Sequence, residues 1–235
     1  IPLVRSFWLS NKAGRKRALR YNVVRQDGSH PHIEFEIFEP KKDTELLQGQ
    51  GTVTRAKATC PCCNVVLSPD RVRAQLREHR GGADVVFDTH GNRIGGARLL
   101  AVVTQMTNTQ GRHYRLPTKQ DYRAVWFAKE KLEEINKEKL PNGLSPVPDE
   151  PLPPIGTLGF RVQRYGMLQW GDLFTARQKF ALVMLSRAIR EAGSNTGQLI
   201  ALFMGKVLRH CNVISKWHKS SETVAGAFGL QALPM

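Results

Sequence analysis

The 235-residue sequence predicts an α+β fold, with antiparallel β hairpins and flanking helices first and a mainly helical carboxy-terminal part after them. Three observations predict it. Residues 1–60 alternate β-branched and aromatic residues with polar ones, a Ser-Pro-Asp helix start follows at 68–70, and two long apolar-periodic stretches lie beyond residue 175.

Over residues 1–60 the strands are "PLVRSFWLS", "RALRYNVVR", "HIEFEIFEP" and, as a fourth, "GTVTRAKATC", separated by the turn signals "NKAG", "QDGSHP" and "QGQG". The fourth delivers Cys60 to a tight turn. Ser68 as cap, Pro69 at the first helical position and Asp70 near the positive end of the dipole then start a helix that stops near Gly81-Gly82. Short strands return in "ADVVFDT", "ARLLAVVTQM" and "GRHYRLPT", with "HGNRIGG" as a turn between the first two. Thr118 with Asp121 forms a capping box for a helix whose buried stripe is Tyr122, Val125, Leu132 and Ile135. Its "KEKLEEINKEK" run reads as a solvated face of paired charges.

Six prolines between 141 and 154 exclude helix and central strand, so residues 141–156 read as a linker between an amino-terminal unit (1–140) and a carboxy-terminal one (157–235). In the latter, Thr175 caps a helix running to Gly193, with Phe180, Met184, Leu185 and Ile189 on its apolar side. A second helix is expected over "TGQLIALFMGKVLRHCNVISKWH"; the tail "SSETVAGAFGLQALPM" has no assignment.

No apolar run approaches the roughly 20 residues of a membrane span. The amino terminus lacks the basic-then-apolar layout of a signal segment, which predicts a cytoplasmic protein. Both ends are apolar, "IPLVRSFWL" and "GLQALPM", and the chain is expected to be an internal piece of a longer protein.

Thirty-five Lys and Arg against 20 Asp and Glu give a net charge of +15, an excess that favours an anionic partner such as nucleic acid over a plain solubility surface. No acid precedes Asp27. The basic hairpin carrying Arg15, Lys16, Arg17 and Arg20 suits DNA phosphates. "FRVQRYGMLQWGD" interleaves Arg161 and Arg164 with Phe160, Tyr165 and Trp170, which fits backbone contact with base stacking and fits core packing equally well.

Cys60 and Cys63 stand at the C-x2-C spacing that holds Zn²⁺ on a short turn, supplying two of the four ligands of a tetrahedral site. Cys62 between them is either a spectator or an alternative ligand. His30 and His32 can complete a site on paper, although a surface turn explains them as well. His210, Cys211 and His218 lack the orienting partners of a thiol nucleophile.

"IPLVRSFWLSNKAGRKRALR", "GTVTRAKATCPCCNVVLSPDRVRAQL", "RLLAVVT", "GRHYRLPTKQDY", "GTLGFRVQRYGMLQWGDLFTARQ" and "FGLQALPM" together resemble the central region of the large adenine-specific DNA methylase-like proteins that contain an internal zinc ribbon. The resemblance covers the whole chain. It implies zinc-ribbon-like hairpins, with Cys60 and Cys63 as the second knuckle and a first C-x2-C pair just before the "IPL" segment. This chain would then hold half of the zinc site. It also implies a helical part leading into an α/β methyltransferase domain, and S-adenosylmethionine held by flanking parts of the intact protein only.

The catalytic (N/D/S)-P-P-(Y/F) pattern of such proteins is absent here. The one double proline has Leu152 before it and Ile155 after it, which removes the polar acceptor for the adenine amino group and the stacking ring. "GNRIGG" precedes a strand and makes a poor phosphate cradle. Three functions are therefore expected in competition. The first is a fragment of an adenine-specific DNA methyltransferase that contacts DNA and its own flanking parts. The second is a non-catalytic zinc-containing nucleic-acid-binding module. The third is an assembly part of a defence-type complex with protein partners.

Overall fold

The structure is a computed structural model and describes residues 1–28, 30–42, 45, 51–157 and 161–226. Among these residues the fold is α+β, with small antiparallel sheets and four α-helices. Phe160 and the apolar end at 228–235 lie outside the described residues.

Strands β1 (Trp8–Ser10), β2 (Arg17–Val24) and β3 (His32–Phe38) form one sheet in that order, with Ala18 opposite Phe38 and Val24 opposite His32. Alternation puts Leu19, Ile33 and Phe35 on one face with Val4 and Phe7. The rings of Phe7, Tyr21 and Phe35 meet at 5.6–6.4 Å between centroids. Burying each such side chain stabilises the sheet by about 1.5–3 kcal/mol.

A second sheet holds β4 (Val53–Thr54), β5 (Lys57–Thr59) and β6 (Val66–Leu67). The sequence reads β4 and β5 as one strand. They are two because Arg55 and Ala56 both take positive φ, 50° and 66°, which makes a two-residue hairpin turn without the usual glycine. Helix α1 (Pro69–Arg77) starts where expected, with the Ser68 hydroxyl accepting the Arg71 N–H. Its Val72 packs on Val53 and Ala58.

Strands β7 (Val85–Phe87) and β8 (Arg93–Gly96) pair, so half of the "HGNRIGG" turn is strand. The Asp88 carboxylate, accepting from the N–H groups of His90 and Asn92, closes that turn. Strands β9 (Val102–Thr104) and β10 (His113–Arg115) form another hairpin. Helix α2 (Lys119–Ile135) has the expected capping box and buries Val125, Leu132 and Ile135, with Tyr122 half-buried.

The proline-rich stretch is neither helix nor sheet interior, and it is tied to the residues after it. Leu152 donates its N–H to the Leu168 carbonyl at 2.7 Å, and Gly171 donates to Pro148 at 2.9 Å. Leu152 is buried with Val162, Met167, Leu173 and Ile214. Further bonds join the two halves of the chain, such as Ala176 N–H to the Asp84 carboxylate at 2.7 Å.

Helix α3 (Ala176–Glu191) begins at the Thr175 capping box, and α4 (Ser194–His210) succeeds it. Of the expected α3 stripe, Phe180, Leu185 and Ile189 are only half-buried and Met184 is exposed. Leu199, Leu202 and Phe203 of α4 are open to solvent. The second helix ends eight residues earlier than the sequence predicts. The buried Asn212 amide donates to the carbonyls of Leu208 and Arg209, which satisfies the helix end and stops it. Beyond it the chain forms a hairpin, β11 (Lys216–His218) with β12 (Thr223–Ala225). No helix among the described residues is long and apolar enough to cross a membrane.

Candidate metal centre and nucleic-acid interface

Cys60 and Cys63 sit in the turn joining β5 to β6. The Cys60 N–H donates to the Val65 carbonyl at 2.9 Å, and the Asn64 N–H donates back to the Cys60 carbonyl at 2.8 Å. Asn64 holds φ at +59°, the left-handed region that Asn tolerates better than most side chains. The turn folds the chain back so that the thiol of Cys63 and the backbone N–H groups of Cys62 and Cys63 act on the Cys60 sulfur. Burial pushes that thiol up while these donors pull it down, and Cys60 stands below the ordinary thiol value. A metal needs a thiolate ligand, and this turn favours one.

Cys62 behaves differently. Burial first, and then the neighbouring Cys60 charge, push it up. Its sulfur lies 3.8 Å from the Pro31 carbonyl and packs on the cluster of Phe7, Leu19 and Phe35. Arg25 donates to its carbonyl at 2.9 Å, fastening the end of β2 to the turn. Of the two roles open to it in the sequence, the geometry fits the spectator.

His32 lines the same cavity of about 650 Å³ as Cys60, and its Nε2 lies 3.7 Å from Glu34. Among the described residues no group of three or more His, Cys, Asp or Glu side chains converges to hold a metal ion, and His30 and His32 do not join the cysteines in one. His210 ends α4 while His218 lies on β11, so the two are not on one helix face.

The expected basic residues divide by their partners. Arg17 lies 2.9 Å from Glu39. Arg20 reaches Glu36 at 2.5 Å and stacks 4.9 Å from the Phe38 centroid; the hydrogen bond and charge of Glu36 raise its guanidinium while Glu36 is lowered. Arg15 reaches the β9–β10 turn and lies across Gly111. Lys16 is exposed to an intermediate degree beside it. Arg161 and Arg164 are exposed at a 3-10 turn over Val162–Tyr165, and the Arg164 carbonyl accepts from Arg77 at 3.0 Å. Tyr165 is buried and Trp170 packs on the cluster of Leu152 and Met167, so of the two uses open to these rings the packed one is observed.

Sequence reasoning missed Asn64, because an αL residue without glycine carries no strong signal, and Arg25, whose role depends on a contact 37 residues away. No family model, curated protein or solved structure matches the chain.

Proposed function

We propose that this chain is the zinc-ribbon and nucleic-acid-contact region of an adenine-specific DNA methylase-like protein, and that it does not transfer methyl groups by itself. The observation that carries the proposal is the turn at Cys60–Cys63, where a left-handed Asn64 and inward N–H groups favour a thiolate facing a second thiol. The residues fit half of a tetrahedral site. Cys60 and Cys63 would hold Zn²⁺, which would fix the turn, and Cys62 would stay outside it. The other pair would come from the segment that the resemblance places before "IPL".

S-adenosylmethionine would be held by flanking parts of the parent protein. The double proline at 153–154 acts as a brace: Leu152 is buried, and the Pro153 carbonyl accepts the Gln163 side-chain amide at 2.7 Å. That brace also favours the second reading, a non-catalytic zinc-containing nucleic-acid-binding module.

One experiment separates the two. Zinc content, S-adenosylmethionine binding and DNA binding are measured on this chain and on one extended at both ends through the adjoining coding sequence. The methylase proposal expects about one zinc per extended chain, with cofactor bound by the extended chain alone. Zinc and DNA binding without cofactor would establish the binding module instead. An extended chain without zinc would overturn both.

A further inference from the structure

Three hairpin turns far apart in the sequence meet at one place. The β1–β2 turn brings Lys12 and Arg15, the β9–β10 turn brings Gln110 and Arg112, and the β11–β12 turn brings Glu222, together lining an open cleft of about 820 Å³. The turns are fastened to one another. Asn11 donates its N–H to the Lys219 carbonyl at 3.1 Å, and the Trp217 indole donates to the Leu9 carbonyl at 2.6 Å. The Tyr114 hydroxyl donates to Glu222 at 2.9 Å, and its ring meets Trp217 edge-on at 6.4 Å.

The charge in this cleft is not neutralised from within. Among the described residues Glu222 is the one carboxylate on its lining; it is 5 % exposed and committed to Tyr114. Among the described residues, too, no carboxylate forms an ion pair with Lys12, Arg15 or Arg112. Arg112 is held by the Gln105 amide at 2.5 Å, which orients the guanidinium and leaves its charge intact. Arg15 lies over Gly111, at φ +100°, where an added Cβ would collide with its Nη1. Side chains of like charge ordinarily spread apart in water. Here backbone geometry and side-chain amides collect them on a concave wall, so a polyanion meets preassembled donors.

We propose that this cleft binds the phosphodiester backbone of nucleic acid through Lys12, Arg15 and Arg112. This assignment rests on the nucleic-acid function proposed for the chain and moves its centre. Arg17 and Arg20 are paired with glutamates, and the contact surface passes from the β2 strand to a cleft built jointly by the three hairpin turns. The cleft and the cysteine turn lie at opposite ends of β2, on the order of 25–30 Å apart by strand rise. Metal removal and cleft substitution are therefore separable perturbations.

The test is fluorescence anisotropy of a short labelled DNA duplex with the full chain, titrated across a range of salt concentrations. Arg15→Gln with Arg112→Gln is expected to weaken binding at least about tenfold and to lower the salt slope by about one per residue removed. Lys131→Gln, on α2 and paired with Glu134 at 2.7 Å, is expected to change neither. Gln110→Lys, which adds a cation to the same wall, is expected to tighten binding and steepen the slope, a gain that misfolding does not produce. Unchanged affinity and slope in both cleft variants, with DNA still bound, would overturn the cleft and leave the nucleic-acid reading to Arg161 and Arg164. A wild-type chain with no salt-dependent binding would overturn both.

Discussion

The backbone N–H of Asn64 reaches the carbonyl of Cys60 at 2.8 Å while Asn64 itself sits at φ +59°. This bond closes the turn that brings Cys63 back to Cys60. A β-branched residue in that conformation costs about 1–2 kcal/mol, whereas glycine has no Cβ to clash. Asn64→Val is therefore expected to lower the unfolding free energy by that amount, read as a lower denaturant midpoint at unchanged m, and Asn64→Gly to leave both nearly unchanged. Urea unfolding of the two variants checks this. Equal loss in both would mean that the Asn side chain, and not the backbone angle, holds the turn.

Asp121 gathers the amino-terminal end of α2. Arg115 donates to its two oxygens at 2.7 and 2.8 Å, and the N–H and hydroxyl of Thr118 add bonds at 2.7 and 2.8 Å. The Arg115 guanidinium first, then the Thr118 N–H, hold this carboxyl well below the usual carboxylate range. A lowered native value means that the contribution is complete above the unfolded value near pH 4 and fades as pH falls through the native one. Asp121→Asn is expected to cost about 1 kcal/mol at neutral pH, as the loss of a cap does. The gap between variant and wild type should narrow as acid is added. A gap that is constant from neutral to strongly acidic pH would exclude the carboxylate as its source.

Met167 is fully buried, and Gly81 leaves it room: a Cβ on Gly81 would collide with the Met167 methyl carbon. Met167→Ala is expected to cost about 2–5 kcal/mol through lost burial and the cavity left behind. Gly81→Ala is expected to destabilise both by overpacking and by its φ of +91°. Because the two residues touch, the double variant should lose less than the sum of the singles. Additive losses in thermal or urea unfolding would show that Gly81 matters for its backbone alone.

Local chemistry was legible in the sequence, and distant contacts were not. Ser68-Pro69-Asp70 and Thr118 with Asp121 announced α1 and α2 because capping is settled within four residues. The β4–β5 turn was hidden, since Arg55 and Ala56 adopt positive φ without turn residues. Lys216–His218 reads as more helix because helical periodicity does not register Asn212 as a cap when its amide bonds three and four residues back. At the candidate site, the C-x2-C spacing singled out Cys60 and Cys63. The roles of Cys62 and Arg25 depend on Pro31 and on the end of β2. Arg112 drew no notice because its cleft exists only once β11 and β12 fold back onto β1.

The ligand set at the turn is the most direct point of test. Cobalt is titrated into the chain extended through its upstream coding sequence, with thiolate-to-metal absorption as the signal, for wild type and for Cys60→Ser, Cys62→Ser and Cys63→Ser. A ribbon knuckle predicts about one metal per chain, loss of the signal in Cys60→Ser and in Cys63→Ser, and an unchanged signal in Cys62→Ser. Loss in Cys62→Ser, or full binding in Cys60→Ser, would contradict it.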